Sequence, residues 1–506
     1  MLLFWWFQRT NMKQFFTLLF FFVQITTTNA QPPKFQRQPW HASVEVGAGA
    51  ATGNVPFLLR TNQYGIVPTS ERSFIAARFS LTRQYRIVDS SSSQTKKSHF
   101  DWGIAISPVL NTRPGNVEVL WPDAFVKVKY RAVELYAGRR REVVGLGDTL
   151  LTSGFLIWSG NAPTLPKVQI STPNFVSIGW LKNILAFKVS FAHGWFTTPY
   201  VTDSYLHQKT LYVRLGKPNW KLKLFAGLNH QVQWGGRADY LLGTQKAVGG
   251  LLPQNFKDYT SLVLGRFPEE KRNDRFTEFD GTNRVGNHIG SIDAAVEWRG
   301  AKGSWLFYHQ HPYEDASGVS FQNFPDGLTG LRFVNARKPA GAVSLRNLTF
   351  EVLNTMSQSG PVFDVTARFQ GRDNYFNHGQ YIAGWSFLNR TLGTPYIMPR
   401  SEVNPALLVR TEGIFFPNNR TQVFYVAAAF QLWRTAILQL RGSQGFNHGS
   451  HNVQYNPVVK QFSTSFVLNV ALPFLNTTHL LLSGGYDGAG LLAATTGGYV
   501  GIKKSW

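Results

Sequence analysis

Apolar and polar residues alternate at every second position in short stretches that recur, divided by turn residues, to the C-terminal end of the chain. In 220–231, Trp220, Leu222, Leu224, Ala226 and Leu228 share one face, and Lys221, Lys223, Asn229 and Gln231 share the other. In 124–132, Val126, Val128 and Tyr130 oppose Lys127, Lys129 and Arg131; in 183–192, Leu185, Phe187, Val189 and Phe191 oppose Lys188 and Ser190. Stretch 291–298 sets Ile292, Ala294, Val296 and Trp298 against Asp293 and Glu297, and 435–442 sets Ala436, Leu438 and Leu440 against Gln439 and Arg441. Period two puts alternate side chains on opposite faces of a strand. A transmembrane β-barrel uses this pattern to face lipid with one side and its lumen with the other.

A soluble sandwich alternates too, so loop length has to decide. Counting back from a last strand at 497–506, tight connections fall near 475–478, 431–434, 356–361, 299–302 and 216–219. Long ones fall at 487–496, 445–462, 372–419, 312–342 and 232–287. Short periplasmic turns opposite long extracellular loops are the asymmetry of outer-membrane barrels. Carried to the N-terminus, the spacing predicts an all-β, antiparallel transmembrane barrel of about 18 strands. The insert 233–287 has another texture: Asp239-Tyr240-Leu241-Leu242 and the stretch from Pro253 to Arg266 read as short helices, with Pro253 suited to a first turn. It is expected to be an extracellular loop folded over or into the barrel. The run Ser90 to Ser93 reads as a turn.

Charge sharpens this picture. A lysine on a lipid face costs about 2–4 kcal/mol near the midplane. Lys127, Lys129, Arg131, Lys188, Arg214, Lys221, Lys223 and Arg441 should therefore line the interior, where they outnumber Asp293, Glu297 and Glu351 and make the lumen cationic. Residues 1–30 read as a cleavable signal peptide: Arg9 and Lys13 precede an apolar run from Phe15 to Val23, and Thr28-Asn29-Ala30 offers a small-residue cleavage site. Met12-Lys13 before the same run makes Met12 an alternative start. The exported remainder, 31–506, reads as one domain with charge (51 − 2) − 28 = +21, against +23 for the whole chain. So basic a chain suits an acidic polymer or a cationic lumen, and export argues against nucleic acid. The absence of cysteine excludes a disulfide scaffold, a thiol nucleophile and Cys-ligated metal. After the leader no run of eighteen or more apolar residues marks a spanning helix. Trp506, with Ile502 and Val500 on its face, looks like the terminal signal that barrel-assembly machinery reads.

Candidate chemistry concentrates near the expected extracellular ends. Asp373, Asn374, Tyr375, Asn377 and His378, followed by Trp385, bring together the amides, acids and rings that bind sugar hydroxyls and pyranose faces. A self-satisfied loop plug is the competing reading. His230 and Trp234, and His207, lie near strand ends, where they line a binding surface or simply pack the rim. His309 and His311 are also polysaccharide-binding candidates; followed by Glu314 and Asp315, they have metal-ligand character too, but no third ligand is fixed and rim packing is the commoner role. No metal or cofactor is assigned. Glu314 with Asp315, or Asp293 with Glu297, would be the glycosidase pairs to consider, yet sequence neighbours rarely face each other across a bond. No enzymatic activity is expected.

Ser159-Gly160-Asn161-Ala162 with Pro166-Lys167, Leu206 to Lys209, Gly227 to His230 through Trp234-Gly235-Gly236, Gly286 to Ser291 and Asp373 to Asn377 together resemble the Wzi-type capsule-assembly outer-membrane proteins in their Bacteroidetes form. The resemblance implies a barrel of this size plugged by its extracellular loops. It also implies a lectin, not an enzyme, that anchors capsular or other surface polysaccharide. The partners are then an acidic polysaccharide, outer-membrane lipid and the barrel-assembly machinery. A channel for small anionic solutes is the alternative reading of the same cationic interior.

Overall fold

A computed structural model describes the protein over residues 39–86 and 99–506, apart from 114, 269, 340, 365 and 409–412. The leader at 1–30 and the serine run Ser90 to Ser93 lie outside these residues. The first strands are β1 (Trp40–Ala51), β2 (Ser73–Arg83), β3 (Phe100–Arg113), β4 (Asn116–Tyr130) and β5 (Val133–Arg139). β6 (Pro166–Ser171) and β7 (Val176–Ser177) form one interrupted strand, because both pair with β8 (Leu185–Phe196). Then come β9 (Ser204–Leu215), β10 (Leu222–Trp234), β11 (Asn287–Gly300), β12 (Gly303–Tyr313), β13 (Gly327–Asn335) and β14 (Val343–Asn354). A small inner hairpin, β15 (Ser386–Phe387) and β16 (Arg390–Thr391), precedes β17 (Thr421–Leu432), β18 (Ala436–Gly449), β19 (Gln454–Leu472), β20 (Thr478–Asp487) and β21 (Thr495–Ser505). Each wall strand pairs antiparallel with its sequence neighbour, and β1 pairs with β21, Val46 opposite Ile502. Among the described residues the wall is a closed barrel of 18 strands.

The pleat sorts side chains as period two requires. Val126, Leu222, Leu224, Val296, Phe307, Val426 and Ile502 are exposed on the outside, while Lys127, Lys223, Glu297, Tyr308 and Tyr425 are buried inside. Most connections at the end holding both termini are short, such as 301–302 and 433–435, although 84–99 is longer; those at the other end include 140–165, 235–286 and 355–420. By the asymmetry of such barrels, the loop-rich end is extracellular.

Three connections fold inward and fill the lumen. One carries α1 (Phe57–Arg60), the second spans 140–165 and the third spans 355–420. Their apolar residues Phe57, Leu156, Ile157, Trp385, Phe387, Ile397 and Phe416 pack into one cluster with the inward wall residues Leu206, Ile289, Leu328, Leu353 and Tyr425. Polar wall groups pin the plug. Glu351 accepts from Tyr308 Oη (2.5 Å), Thr152 Oγ1 (2.8 Å) and the Ser153 amide (2.6 Å). Asp293 accepts from the Leu146 amide (2.9 Å), and Gln310 Oε1 from the Leu156 amide (2.8 Å). A buried Arg60–Glu402 ion pair ties the first inward loop to the third. The remaining helices lie in other extracellular connections: α2 (Phe256–Leu264) and α3 (Glu278–Thr282) in the insert, and α4 (Ala316–Val319) after β12.

The connectivity differs from the sequence reading in one hairpin. The stretch 312–342 is not one loop: it holds β13, which connects to β14 between Asn335 and Val343, so 356–361 belongs to the long extracellular connection. Gly327 and Gly330 weaken the strand pattern of β13, but Gly330 has a packing reason. It lies opposite Tyr308, and a Cβ there would collide with the Tyr308 ring. Likewise 445–462 is mostly strand, with only 450–453 linking β18 to β19; Asn456 and Pro457 mask the pattern.

Gly330→Val should push Tyr308 off Glu351 and loosen the plug, and Glu351→Ala should do the same by stranding three donors at a cost of about 1–3 kcal/mol each. Planar-bilayer conductance checks this: near zero for the wild type, and clearly raised in both variants.

Candidate functional site

At the extracellular end, three loops and the start of β11 enclose a cavity of about 320 Å³. The insert supplies Phe267, Asn283 and Arg284; β11 supplies Asn287 and His288. The β12–β13 connection gives Glu314, Asp315 and Ser317, and the long connection gives Phe363, Arg368, Gln370, Arg372, Asp373, Asn374 and His378. A second space of about 270 Å³ shares Phe363, Arg372, Asp373 and Asn374 and adds His451 and Asn452, so the two adjoin at these residues and together form the candidate groove.

Hydrogen bonds fix the groove floor. Asp315 caps the short helix α4 through the Ser317 amide (2.8 Å). Ser317 and Ser359 hydroxyls donate to Asp373 (3.3 and 2.7 Å). Glu314 accepts from the Phe376 amide (2.8 Å), Asn374 Oδ1 accepts from Asn419 Nδ2 (2.6 Å), and Arg372 donates to Asn452 (2.8 Å). Burial pushes the Glu314 carboxyl up to about 8, with Asp373 and Asp315 adding to the rise. Burial, then the charge of Asp315, lifts Asp373 to about 6. Burial and the Lys246 charge lower His378 to about 4, leaving its ring neutral. The groove thus offers the Phe267 and Phe363 rings, amides, three guanidiniums, and two carboxyls poised to be protonated near neutral pH.

Of the residues expected to bind sugar, Asp373, Asn374 and His378 line this groove. Tyr375 and Asn377 do not. Tyr375 is buried, donating to Asp326 (2.9 Å) and accepting from Asn323 (2.7 Å), and Asn377 brackets the Phe416 backbone. Trp385 lies at the centre of the plug, fully buried, with Nε1 donating to the Ile157 carbonyl (2.8 Å).

The four remaining candidates sit on the outer face of the wall, beneath loops that fold back over it. His230 meets His288 (2.9 Å), and Trp234 packs on Tyr205 and Tyr259. His309 meets Thr329 Oγ1 (2.8 Å), while His311 bonds the Gly318 carbonyl (3.0 Å) and stacks on Phe321. Among the described residues no three His, Cys, Asp or Glu side chains converge as a metal site.

The expected cationic lining needs two corrections. Arg131 and Lys221 are exposed in tight turns at the terminal rim, Arg131 beside the Tyr130 ring, because the strands end before them. The inward cations face acids or polar groups: Lys223 pairs with Glu297 (3.1 Å), Lys127 donates to Gln84 (3.1 Å), and Arg441 donates to Gln439 (3.1 Å). Lys129 lies over the Tyr85 ring, Arg214 donates to Ser177 (3.2 Å), and Lys188 lines an inner cavity with Glu134 and Glu142. Lys167, not counted among the inward cations from the sequence, pairs with Glu142. Asp293 and Glu297 are likewise occupied, by the plug and by Lys223 with Arg299. Phe363 and Arg368 were missed as site residues; exposed rings in a polar, charged loop were the available signal.

A lipid-facing wall without edges, a lumen filled by its own loops and a polar groove on the loop end define a plugged outer-membrane β-barrel. Residues 62–398 match the family model described as capsule assembly protein Wzi, and the chain belongs to that family. Among solved structures it is similar to Wzi of Escherichia coli, described as an outer-membrane protein involved in group 1 capsule assembly and a carbohydrate-binding β-barrel. Identity is 13%, the TM-score is 0.56, and the match covers 91% of this chain and 83% of that one. Pseudomonas aeruginosa OpdL (9% identity, TM-score 0.45, 93% and 99% covered) and OpdQ (7%, 0.45, 93% and 99%) also match. No curated protein matches.

Two outcomes follow. Because Glu314 is raised from 4.5 to about 8, its contribution to stability is full below about pH 4.5 and is lost as pH rises through 8. The melting temperature of the folded barrel should therefore decline across that window, and Glu314→Gln should flatten the decline. Trp385→Ala should cost about 3–5 kcal/mol, whereas exposed Phe363→Ala should stay within about 0.5 kcal/mol; denaturant titration separates the two.

Proposed function

We propose that this chain is a surface lectin that holds an exported, acidic polysaccharide in the extracellular groove and so retains capsule on the cell. The observation that carries the reading is the groove itself. Exposed Phe rings suit pyranose faces, Asn and Gln amides suit hydroxyl pairs, and Arg284, Arg368 and Arg372 suit the carboxylates of an acidic polymer. Membership of a capsule-assembly family supports it, and so does the carbohydrate binding described for the Escherichia coli protein. Export by the leader at 1–30, insertion through the barrel-assembly machinery with Trp506 as its signal, and surrounding outer-membrane lipid complete the proposal. The channel reading is disfavoured by the packed plug.

Detergent-purified protein should bind the producing cell's own acidic polysaccharide with an affinity that salt weakens. Arg368→Ala and Phe363→Ala should each weaken it about tenfold, equivalent to 1.4 kcal/mol. Clean deletion should leave polymer made but shed. Capsule retained at full level after deletion sinks the proposal.

A further inference from the structure

Two extracellular segments turn outward over the wall, not inward into it. Helix α2 lies on the outer face of β9 and β10, where Leu262, Tyr259 and Val263 cover Val232, Trp234 and Tyr205. That face is fixed by parity, since Val232 and Trp234 continue the row of exposed Leu222, Leu224 and Leu228 with unbroken pairing to β9. Two cations clamp the helix end: Lys209 of β9 donates to the Val263 carbonyl, and Arg284 of the insert to that of Gly265 (3.1 Å). Beside it, the β12–β13 connection lays Phe321 on outward His311 and Phe324 near outward His309. The two segments meet at the groove, which both Phe267 and Ala316 line.

Having covered the wall, these segments expose a new apolar surface. Phe256 is 80% exposed, Phe324 64% and Leu264 60%, and Phe267, Val319 and Phe321 are half exposed. On α2, Phe256, Thr260 and Leu264 share the face opposite buried Leu262, with Lys257 at its edge. Arg266, Lys271 and Arg272 follow, all exposed, with exposed Glu270 and Asp274 among them. The height of this surface can be placed from β10. Trp234 stands twelve residues beyond Leu222, or about 30 Å along the axis for a tilted strand, against an apolar band of about 25 Å.

We infer that α2, together with Val319, Phe321 and Phe324 of the β12–β13 connection, forms a collar seated in the outer leaflet of the membrane, with apolar residues at the acyl boundary and Lys257, Arg266, Lys271 and Arg272 at headgroup phosphates. The occupant follows from continuity: the collar prolongs the lipid-facing row of the barrel, and an amphipathic helix with a cation at the edge of its apolar face lies in such an interface. An exposed apolar patch of this extent on a folded surface marks a contact. The collar would hold the groove floor at headgroup level, yet the inference stands independently of sugar binding.

The chain has no cysteine, so single spin labels report cleanly. Labels at Phe256→Cys, Leu264→Cys and Phe324→Cys, in full-length protein reconstituted into vesicles of phospholipid and lipopolysaccharide without polysaccharide, are compared with lipid-facing Val126→Cys and loop Thr366→Cys. Oxygen should broaden the collar labels more than a water-soluble nickel chelate does, as at Val126→Cys. Collar labels that behave as at Thr366→Cys overturn the inference; so do labels shielded from both reagents, which would mean that a second copy or another protein covers the collar. Three positions guard against one variant failing to fold.

Discussion

Pairing of β1 with β21 is the interaction on which the rest depends. Hydrocarbon offers backbone N–H and C=O groups no partners, so a sheet can cross it only by closing on itself. Once closed, the pleat leaves no freedom: every odd–even choice along a strand assigns a side chain to lipid or to the interior. The outward residues can then be Leu, Val, Ile, Phe and Trp with no partner at all. The inward ones must satisfy their polar groups within the protein.

A wall of 18 strands encloses more space than its own side chains fill. The extracellular loops fill the rest, and the inward polar groups become their anchorage. Glu351, Asp293 and Gln310 accept or donate hydrogen bonds to backbone of the 140–165 loop, so buried polar groups that would otherwise be costly set the plug's position. Lys223, Lys167 and Arg60 answer Glu297, Glu142 and Glu402 in the same way. An excess of cations in the sequence therefore does not become an open positive channel. Guanidiniums not consumed inside, Arg368 among them, face the extracellular groove.

Alternation alone made most of the wall legible, because lipid on one side and protein on the other impose the same period on every strand. It failed at β13, where glycine is kept to admit the Tyr308 ring, and at the start of β19, where Asn456 and Pro457 interrupt the pattern. Strand ends were also obscure: Arg131 and Lys221 continue the parity of inward lysines but stand in turns. The groove was half legible. Asp373, Asn374 and His378 stood out as polar groups clustered with rings, but their partnership with Arg284 and Glu314 depends on loops meeting in space. No local pattern records that.

The cover over His230, Trp234, His309 and His311 has a different origin, because their parity was readable. His230 and Trp234 fall in step with Leu222, Leu224 and Leu228, and His309 and His311 with Trp305 and Phe307. All four therefore had to point outward. An imidazole on that face cannot sit bare against acyl chains, so it needs a cover that supplies partners. Tyr259 reaches His207, Phe321 stacks on His311, and the Gly318 carbonyl receives His311. Polar residues high on the outer face are thus a sequence signal for a loop folded back over the wall. They mark where the barrel's lipid-facing surface stops being strand and becomes the loops laid across it.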